Sequence, residues 1–554
     1  MNTPTIRQIP YPGGMRASKP VIAVAVISVL ICLALVGTLV YRGAGLVMSV
    51  MGGSQVEQAR ADEVAAKSAE DFYRQKIHWG SCASSQVATG SARPADLRSY
   101  ECATLYAPLD WDDPSGEQIT LALGVHRSGK ADAPILFFNL GGPGGAAVSA
   151  LSRQVEDNLG TALVDHYDLL ALDPRGVGAS TPVKCLSDEQ LDLYNAEGSI
   201  LGKKAASGQT PEEIVAQAQA ENAAVAAGCQ KMSGELFGHI DTISAAKDFD
   251  MVRAVLGLDT IDYLGYSYGT FLGATYAELF PERVGRMVLD GAIDPAATVD
   301  EVYDMQMRGF EDSINHWIDS CLDSSACPLS GSHEQARSQL VDFLDSLDES
   351  PLETSDPERP LTRNLATTAI IGMLYSESTY AMITQALIPA IESRDGSQLL
   401  FVSDILSDRG DDGSYSSNGT EALMAVNNLD YGPAGTIEEW AKNADLIRSE
   451  LPVFGDLAGY ASAGLDKWPT SHAQRGPIAA RGSAPIVVIG TTHDPATPYA
   501  MAKRLAQQLD SGILVTNEGW GHTAYDREAN SCITGAVEDF FIGGVLPEDG
   551  LVCR

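Results

Sequence analysis

The pentapeptide Gly265-Tyr266-Ser267-Tyr268-Gly269 decides the fold class of this 554-residue chain. It follows an apolar run at 261–264 that is typical of a strand, and it precedes an apolar run from Phe271 that is typical of a helix. A serine between two glycines at such a turn can adopt a strained conformation, because glycine lacks the side chain that would clash. The turn exposes the serine hydroxyl and directs the next backbone N–H to where an oxyanion would form. The pattern also occurs in ordinary turns, so its meaning depends on the rest of the chain.

Strand-like and helix-like segments alternate on both sides of this turn. Continuous apolar runs, typical of strands that are buried on both faces, occur at 134–138, 167–172, 284–289 and 485–490. Runs that alternate apolar and polar residues, at 102–111 and 118–126, are typical of an antiparallel sheet edge. This alternation predicts an α/β fold with a mostly parallel sheet and helices on both faces.

The alternation stops between residues 296 and 480. Helical patterns dominate there, at 303–321, 333–347 and 363–391. The α/β pattern then resumes and continues to the end of the sequence. We therefore predict a mainly helical cap (296–480) that is inserted between two parts of one α/β core, 80–295 and 481–554.

The N-terminal segment has the pattern of a membrane anchor. Residues 1–20 carry three basic residues and no acidic residue, and residues 21–41 form an almost continuous apolar run. About 20 apolar residues span a bilayer as a helix, and a basic flank before the span keeps the N-terminus in the cytoplasm. We predict a cytoplasmic tail (1–20), an uncleaved transmembrane helix (21–41), a stalk (42–79) with a helical spacer at 54–78, and an extracellular remainder. The alternative is a cleaved signal peptide and a secreted chain.

Composition excludes several classes of function. The formal net charge is −36, which argues against nucleic acid as a partner, because a polyanion would be repelled. None of the nine cysteines forms a Cys-x-x-Cys pair, and no His-rich cluster accompanies them, so we predict no metal site and no cofactor. Cys32 lies in the apolar N-terminal run. The other eight are even in number, which suits disulfides in an oxidising compartment.

Two later strand ends supply an acid and a base. The strand at 485–490 leads to Asp494 in a proline-bounded turn, and a short strand at 513–516 is followed by His522. Functional groups of a parallel sheet gather beyond the carboxyl ends of its strands, so Ser267, Asp494 and His522 are expected to meet. Their order along the chain is that of the triad in α/β-hydrolases.

The predicted roles of these residues follow from their chemistry. His522 would remove the proton of Ser267, whose hydroxyl is otherwise a poor nucleophile. Asp494 would hold the histidine tautomer and stabilise the imidazolium. The backbone N–H groups of Tyr268 and of Gly142, which lies in a glycine-rich loop, would form the oxyanion hole.

Two other residues are alternatives for the base and the acid. His493 adjoins Asp494, but it lies in the loop of the acid itself. Asp173 ends an earlier strand, but it precedes Ser267 and so falls outside the triad order. We predict structural positions for both.

Several motifs together resemble one family. They are the pentapeptide, the segments around Asp494 and His522, Asn-Leu-Gly-Gly-Pro-Gly-Gly (139–145), Asp-Pro-Arg-Gly-Val-Gly-Ala-Ser (173–180) and Val-Leu-Asp-Gly (288–291). Over residues 80–554 the chain resembles the prolyl-iminopeptidase-related serine peptidases of the α/β-hydrolase fold. The closer resemblance is to actinobacterial tripeptidyl aminopeptidases with a characteristic C-terminal segment.

The resemblance implies further features of the chain. Together with sequence order, it implies disulfides between neighbouring cysteines, which is one of many connectivities that eight cysteines allow: Cys82–Cys102, Cys185–Cys229, Cys321–Cys327 and Cys532–Cys553. It also suggests that Asp430, in the cap, binds a substrate ammonium. This chain differs from its relatives there, because Asn428 stands where relatives often have a cysteine.

These observations predict a membrane-anchored extracellular serine hydrolase. The predicted activity is that of an aminopeptidase, which releases tripeptides from oligopeptides through an acyl-enzyme on Ser267. An exopeptidase must stop the chain beyond its first residues and hold a positive terminus, and a cap rich in Asp and Glu suits both tasks. The alternatives are a carboxylesterase or lipase with the same triad, and a catalytically inactive surface-binding protein.

Overall fold

The computed structural model describes residues 64–87, 97–202, 209–469 and 475–554. The predicted transmembrane helix (21–41) and the tail before it lie outside these residues. Within the described ranges, no helix is both long enough and apolar enough to cross a membrane.

A ten-stranded sheet forms the centre of the described part of the molecule. Its strands are β1 (Gly80–Ser81), β2 (Tyr100–Pro108), β3 (Gln118–His126), β4 (Ile135–Asn139), β5 (Asp168–Leu172), β6 (Ile261–Tyr266), β7 (Val284–Asp290), β8 (Ile486–His493), β9 (Gly512–Trp520) and β10 (Leu551–Cys553). Their spatial order is β1-β2-β3-β5-β4-β6-β7-β8-β9-β10. Strands β1 to β3 pair antiparallel with their neighbours, whereas β4 to β10 are parallel to one another. The prediction of a mostly parallel sheet with an antiparallel edge is confirmed.

Helices cover both faces of this sheet and build the cap. They are α1 (Ala69–Phe72), α2 (Ser84–Val87), α3 (Leu151–Arg153), α4 (Thr161–His166), α5 (Asp188–Glu197), α6 (Pro211–Ser233), α7 (Thr242–Val255), α8 (Tyr268–Leu279), α9 (Val299–Leu322), α10 (His333–Glu349), α11 (Arg363–Met373), α12 (Tyr380–Glu392), α13 (Ser397–Leu406), α14 (Gly419–Asp430), α15 (Ile437–Glu450), α16 (Tyr499–Gln508) and α17 (Ser531–Gly543).

Alternate side chains of the strands enter two hydrophobic cores. Phe137 of β4 packs in one core with residues of α7, α8 and α16. The next residue, Phe138, packs in the other core with residues of α4 and α17. Because successive side chains of a strand point to opposite faces, the central strands are buried on both sides, which is why their sequences are continuously apolar.

The cap lies between β7 and β8 and has a core of its own. This core contains Phe310 and Trp317 of α9 together with Ile370 of α11. The helix predicted at 363–391 is two helices, because α11 ends at Met373 and α12 begins at Tyr380. A polar 3₁₀ turn, Glu377–Thr379, interrupts them.

The described part of the predicted stalk belongs to the core domain. In this part α1 is only four residues long, and its Phe72 is fully buried. Gln75 pairs with strand β2, since its Nε2 donates to Tyr106 O (2.7 Å) and its Oε1 accepts from Tyr106 N (2.9 Å). The prediction of a helical spacer is therefore wrong for residues 64–78. Its apolar side chains pack on the hydrophobic core that contains Leu105 and Ala107 of β2, which the local Ala-rich pattern did not indicate.

Disulfides tie peripheral segments to this framework. In the described residues they join Cys82 to Cys102, Cys185 to Cys229, Cys321 to Cys327 and Cys532 to Cys553. These are the same pairs as in the local connectivity predicted above. The last of them fastens β10, at the edge of the sheet, to α17.

Candidate active site

Ser267 lies at a strained turn between β6 and α8. Its backbone has φ = +55° and ψ = −123°, a region that residues with a side chain rarely adopt. The turn is held on both sides, because Ser267 N donates to Asp290 O (3.0 Å) and Ser267 O accepts from Thr270 N (2.9 Å) and Thr270 Oγ1 (2.6 Å). The surrounding structure therefore maintains a conformation that a free chain would avoid.

The two glycines of the pentapeptide allow this turn to pack closely. A Cβ atom at Gly265 would lie 2.5 Å from Gly269 O, and one at Gly269 would lie 2.8 Å from Asn139 O. Either contact is shorter than real Cβ atoms show. The Gly-x-Ser-x-Gly spacing is thus a steric requirement of the strand-to-helix turn.

The glycine-rich loop after β4 lies against Ser267. A Cβ atom at Gly141 would come within 2.8 Å of Ser267 Cβ and 3.1 Å of Tyr268 N. The Gly141 N–H is already bound to Asn139 Oδ1 (2.9 Å), so the next N–H, that of Gly142, is the better candidate for an oxyanion donor. Together with the Tyr268 N–H at the start of α8, it would form a two-donor oxyanion hole.

Asp494 and His522 form a buried pair beyond β8 and β9. His522 Nδ1 lies 2.9 Å from Asp494 Oδ1 and 3.0 Å from Asp494 Oδ2. The carboxylate is held in place by the backbone N–H groups of Ala496 (2.9 Å), Thr497 (2.8 Å) and Thr523 (3.2 Å). These three donors fix the orientation of the Asp494 carboxylate, which presents an acceptor oxygen to the imidazole of His522.

The second ring nitrogen of His522 is available for chemistry. His522 Nε2 is buried, and within the described residues no group hydrogen-bonds it. Because a carboxylate accepts the proton on Nδ1, Nε2 has the lone pair that a general base needs. The ring packs edge-on against Tyr375 of the cap, whose backbone oxygen accepts the His522 N–H (2.8 Å).

Asp290 connects the Ser267 turn to the loop after His522, a position that sequence reasoning missed. Its backbone oxygen binds Ser267 N, and its carboxylate accepts the N–H groups of Ala524 (2.9 Å) and Tyr525 (2.8 Å). Complete burial raises its pKa to about 7, which the two N–H donors partly oppose. The available signal was its position, the last residue of an apolar strand in Val-Leu-Asp-Gly.

The two alternative residues have structural contacts. His493 Nδ1 binds Asp312 of α9 (2.7 Å), and its ring stacks on Trp520, which also stacks on His316. Asp173 is buried and accepts the backbone N–H groups of Val148, which follows the glycine-rich loop, and of Ala179 in its own turn, and burial raises its pKa to about 6. Both arrangements agree with the structural positions predicted for these residues.

Asp430 is buried behind Tyr268. Its Oδ1 accepts the Thr242 N–H (2.9 Å) and its Oδ2 accepts the Thr242 hydroxyl (2.6 Å). Burial raises its pKa to about 7. A carboxylate that already binds a core helix in this way does not have the open setting expected of an ammonium site.

A strained serine at a strand-to-helix turn, with an Asp–His pair at later strand ends, defines a hydrolase of the serine type. Residues 134–529 match the family model of the alpha/beta hydrolase fold, and the chain belongs to this family.

Characterised relatives extend over most of the chain. It is 34% identical to the serine protease Hip1 of Mycobacterium tuberculosis, over 88% of this chain and 93% of that protein. It is 36% identical to carboxylesterase B of the same organism, over 86% of this chain and 89% of that protein. It is 25% identical to the tripeptidyl aminopeptidase of Streptomyces lividans, over 91% of this chain and 90% of that protein. The protein is therefore a serine hydrolase, and the resemblance seen in its motifs is confirmed.

Proposed function

We propose that the protein is an aminopeptidase that releases tripeptides from the amino termini of oligopeptides. The observation that carries the proposal is the Asp494–His522 pair at the same sheet end as the strained Ser267, with a His522 Nε2 that has no hydrogen-bond partner in the described part of the chain. Ser267 is the nucleophile, His522 the general base and Asp494 the residue that orients it.

The reaction divides into acylation and deacylation. His522 takes the Ser267 proton as the oxygen attacks the scissile carbonyl, and the N–H groups of Tyr268 and Gly142 stabilise the resulting oxyanion. The tetrahedral intermediate collapses when His522 passes the proton to the leaving amine. Water, deprotonated by the same imidazole, then attacks the acyl-enzyme, and the imidazolium returns the proton to Ser267 Oγ as the ester bond breaks and the short peptide leaves.

The contacts of the cap with the Asp494 and His522 loops support a peptide substrate that enters the site by its amino terminus. Helix α9 lies on the acid loop, since Gln306 Nε2 donates to Ala496 O (2.8 Å), and Tyr375 contacts the base. A peptide bound to Ser267 therefore meets the cap on that side, which limits how many residues fit. The net charge of −36 favours approach of a positively charged terminus.

The cell-surface location is part of the same proposal. The disulfides favour an oxidising compartment, and the apolar run at 21–41 suits an anchor. Membrane fractionation, followed by sequencing of the mature N-terminus, tests it. Recovery of a soluble chain that begins after residue 41 would replace the anchor with a cleaved signal peptide.

Three substrates test the proposed activity on the full-length protein. They are a tripeptide p-nitroanilide, its N-acetylated form and p-nitrophenyl butyrate. We expect the free tripeptide to be cleaved with the highest kcat/KM and the N-acetylated form to be cleaved much more slowly. Equal cleavage of both peptides would refute an aminopeptidase. The negative control is Ser267→Ala, which should cleave none of the substrates and should not react with a fluorophosphonate probe. If the probe labels wild type no better than this variant, the protein is an inactive binding protein.

The second candidate is a carboxylesterase. The 36% identity to carboxylesterase B favours it, and the same serine, base and oxyanion hole cleave esters. Cleavage of the ester alone in the experiment above would establish this alternative.

A further inference from the structure

Helix α14 belongs to the cap by sequence, but it packs on the core. Its apolar residues Ala422, Ala425 and Leu429 lie in the hydrophobic core beside β4 and α8, not in the core of the cap. The two ends of this one helix reach the two halves of the candidate oxyanion hole.

The first end of α14 contacts the glycine-rich loop. A Cβ atom at Gly144 would lie 2.6 Å from Gly419 O and 3.3 Å from Ala422 Cβ, so the loop and the helix are in close contact. This end is anchored to the core, because Asn418 Nδ2 donates to Gly176 O (2.8 Å) and Val183 O (2.9 Å). The loop that carries the Gly142 N–H therefore rests on a fixed support.

The second end of α14 holds Tyr268 through a chain of buried hydrogen bonds. Asp430, the last residue of the helix, accepts the Thr242 hydroxyl at 2.6 Å, and Thr242 Oγ1 lies 2.5 Å from Tyr268 Oη. A threonine hydroxyl has one proton, so when it donates to the carboxylate it accepts from the tyrosine. All three residues are buried, with exposed fractions of 2%, 1% and 5% in the order Asp430, Thr242, Tyr268.

We propose that Asp430 and Thr242 are positioning residues of the oxyanion hole, and that they act through the Tyr268 hydroxyl. The inference rests on the proposed role of the Tyr268 N–H. Helix α14 contacts both segments that carry the donors, the Gly144 backbone at one end and, through Thr242, the Tyr268 hydroxyl at the other. The Tyr268 side chain is thereby fixed at its hydroxyl end, and the backbone N–H of the same residue keeps its direction as charge develops on the substrate oxygen.

The expected effects are effects on turnover. Complete loss of one oxyanion donor costs about 10²–10³ in kcat, and displacement of a positioned group by about 1 Å costs up to about 10². We expect Tyr268→Phe and Thr242→Val to lower kcat by about 10- to 100-fold with little change in KM. Thr242→Ser retains the hydroxyl and should restore most of the activity.

A substrate without an amino group separates this role from ammonium binding. For p-nitrophenyl acetate and for the tripeptide p-nitroanilide, Asp430→Asn should lower kcat by similar factors if it acts through Tyr268. If Asp430 instead binds the substrate ammonium, the variant will raise KM for the peptide and leave the ester unaffected. That result would overturn the inference.

A matched control is available on the same helix as Tyr268. Thr275 is a buried threonine of α8 whose hydroxyl makes no hydrogen bond within the described residues. Thr275→Val should have the wild-type kcat. Equal losses of kcat in Thr275→Val and Thr242→Val would mean that the loss in Thr242→Val comes from altered packing and not from the missing hydrogen bond. Melting temperatures show which variants are folded, and Tyr268→Phe, which keeps the ring, serves if Asp430→Asn does not fold.

Two kinds of failure can be distinguished. If wild type cleaves neither substrate and does not react with the fluorophosphonate, the proposed function fails, and the inference fails with it. If wild type is active and Tyr268→Phe retains the wild-type kcat on both substrates, only the inference is refuted.

Discussion

Replacing Asp494 with asparagine tests the proposed mechanism at one atom. Oδ1 of Asp494 accepts the N–H groups of Ala496 and Thr497, so the amide oxygen of the variant should occupy that position. The new NH₂ group then takes the place of Oδ2, 3.0 Å from His522 Nδ1. The amide oxygen stays 2.9 Å from Nδ1, but it already accepts two backbone N–H groups, so the NH₂ group makes Nδ1 an acceptor and the imidazole proton moves to Nε2. The base can no longer accept the Ser267 proton.

The expected loss is large and leaves the fold intact. An analogous change of tautomer in serine proteases lowers kcat by about 10⁴, which corresponds to about 5.5 kcal/mol in the activation free energy. Steady-state hydrolysis of the tripeptide p-nitroanilide measures kcat, with Ser267→Ala as the background and circular dichroism as the test of folding. A folded Asp494→Asn enzyme with more than about a tenth of the wild-type kcat would refute the assigned role, since one factor of ten is only 1.4 kcal/mol.

The neighbouring histidine provides the matched control. His493 differs from His522 in its partners, because it binds Asp312 of the cap and stacks on Trp520 at the end of β9. We expect His493→Ala to retain about the wild-type kcat, whereas His522→Ala should lose several orders of magnitude. Reversal of these two results would exchange the roles of the histidines.

Two further predictions concern stability. Burial raises the pKa of Glu311 in α9 from 4.5 to about 7. Because the folded state holds this proton more tightly than the unfolded state, the free energy of unfolding falls by up to about 3 kcal/mol as pH rises between these two values. In Glu311→Gln the amide oxygen can still accept the Val453 and Phe454 N–H groups. Urea titrations should therefore show that the unfolding free energy of this variant declines less between pH 5 and 7.5 than that of wild type. An equal decline in both proteins would contradict the raised pKa of Glu311. A disulfide that closes a longer loop stabilises the folded state more. Removing Cys185–Cys229, with a sequence separation of 44, should therefore lower the free energy of unfolding by about 4 kcal/mol, and removing Cys321–Cys327, with a separation of 6, by about 2 kcal/mol. Thermal melts of the two double Cys→Ala variants test this order.

Local chemistry explains why the nucleophile turn could be predicted. The Gly-x-Ser-x-Gly spacing is a steric requirement that acts within five residues. The contact between Asp494 and His522 could also be predicted, because parallel strands bring their carboxyl ends to one edge whatever the length of the insertion between them. The sheet class followed from strands that are apolar on both faces.

Contacts between distant segments could not be predicted. Phe72 packs on the core although its local sequence reads as a polar helix. The Asp430–Thr242–Tyr268 chain joins three segments whose separate sequences contain no sign of it, and the same holds for the stack of Trp520 between two histidines. Pairings of this kind depend on how the cap is placed on the core, which periodicity does not encode.

The strand order along the chain also determines when hydrolytic activity can begin during synthesis. Ser267 follows the central strand β6, whereas Asp494 and His522 follow β8 and β9, beyond the whole cap. The ribosome makes the N-terminal part first, so Ser267 is synthesised long before His522, its base in the proposed mechanism. Under the proposed mechanism the nascent chain therefore has no hydrolytic activity, and a chain that is interrupted before β9 lacks the base for Ser267.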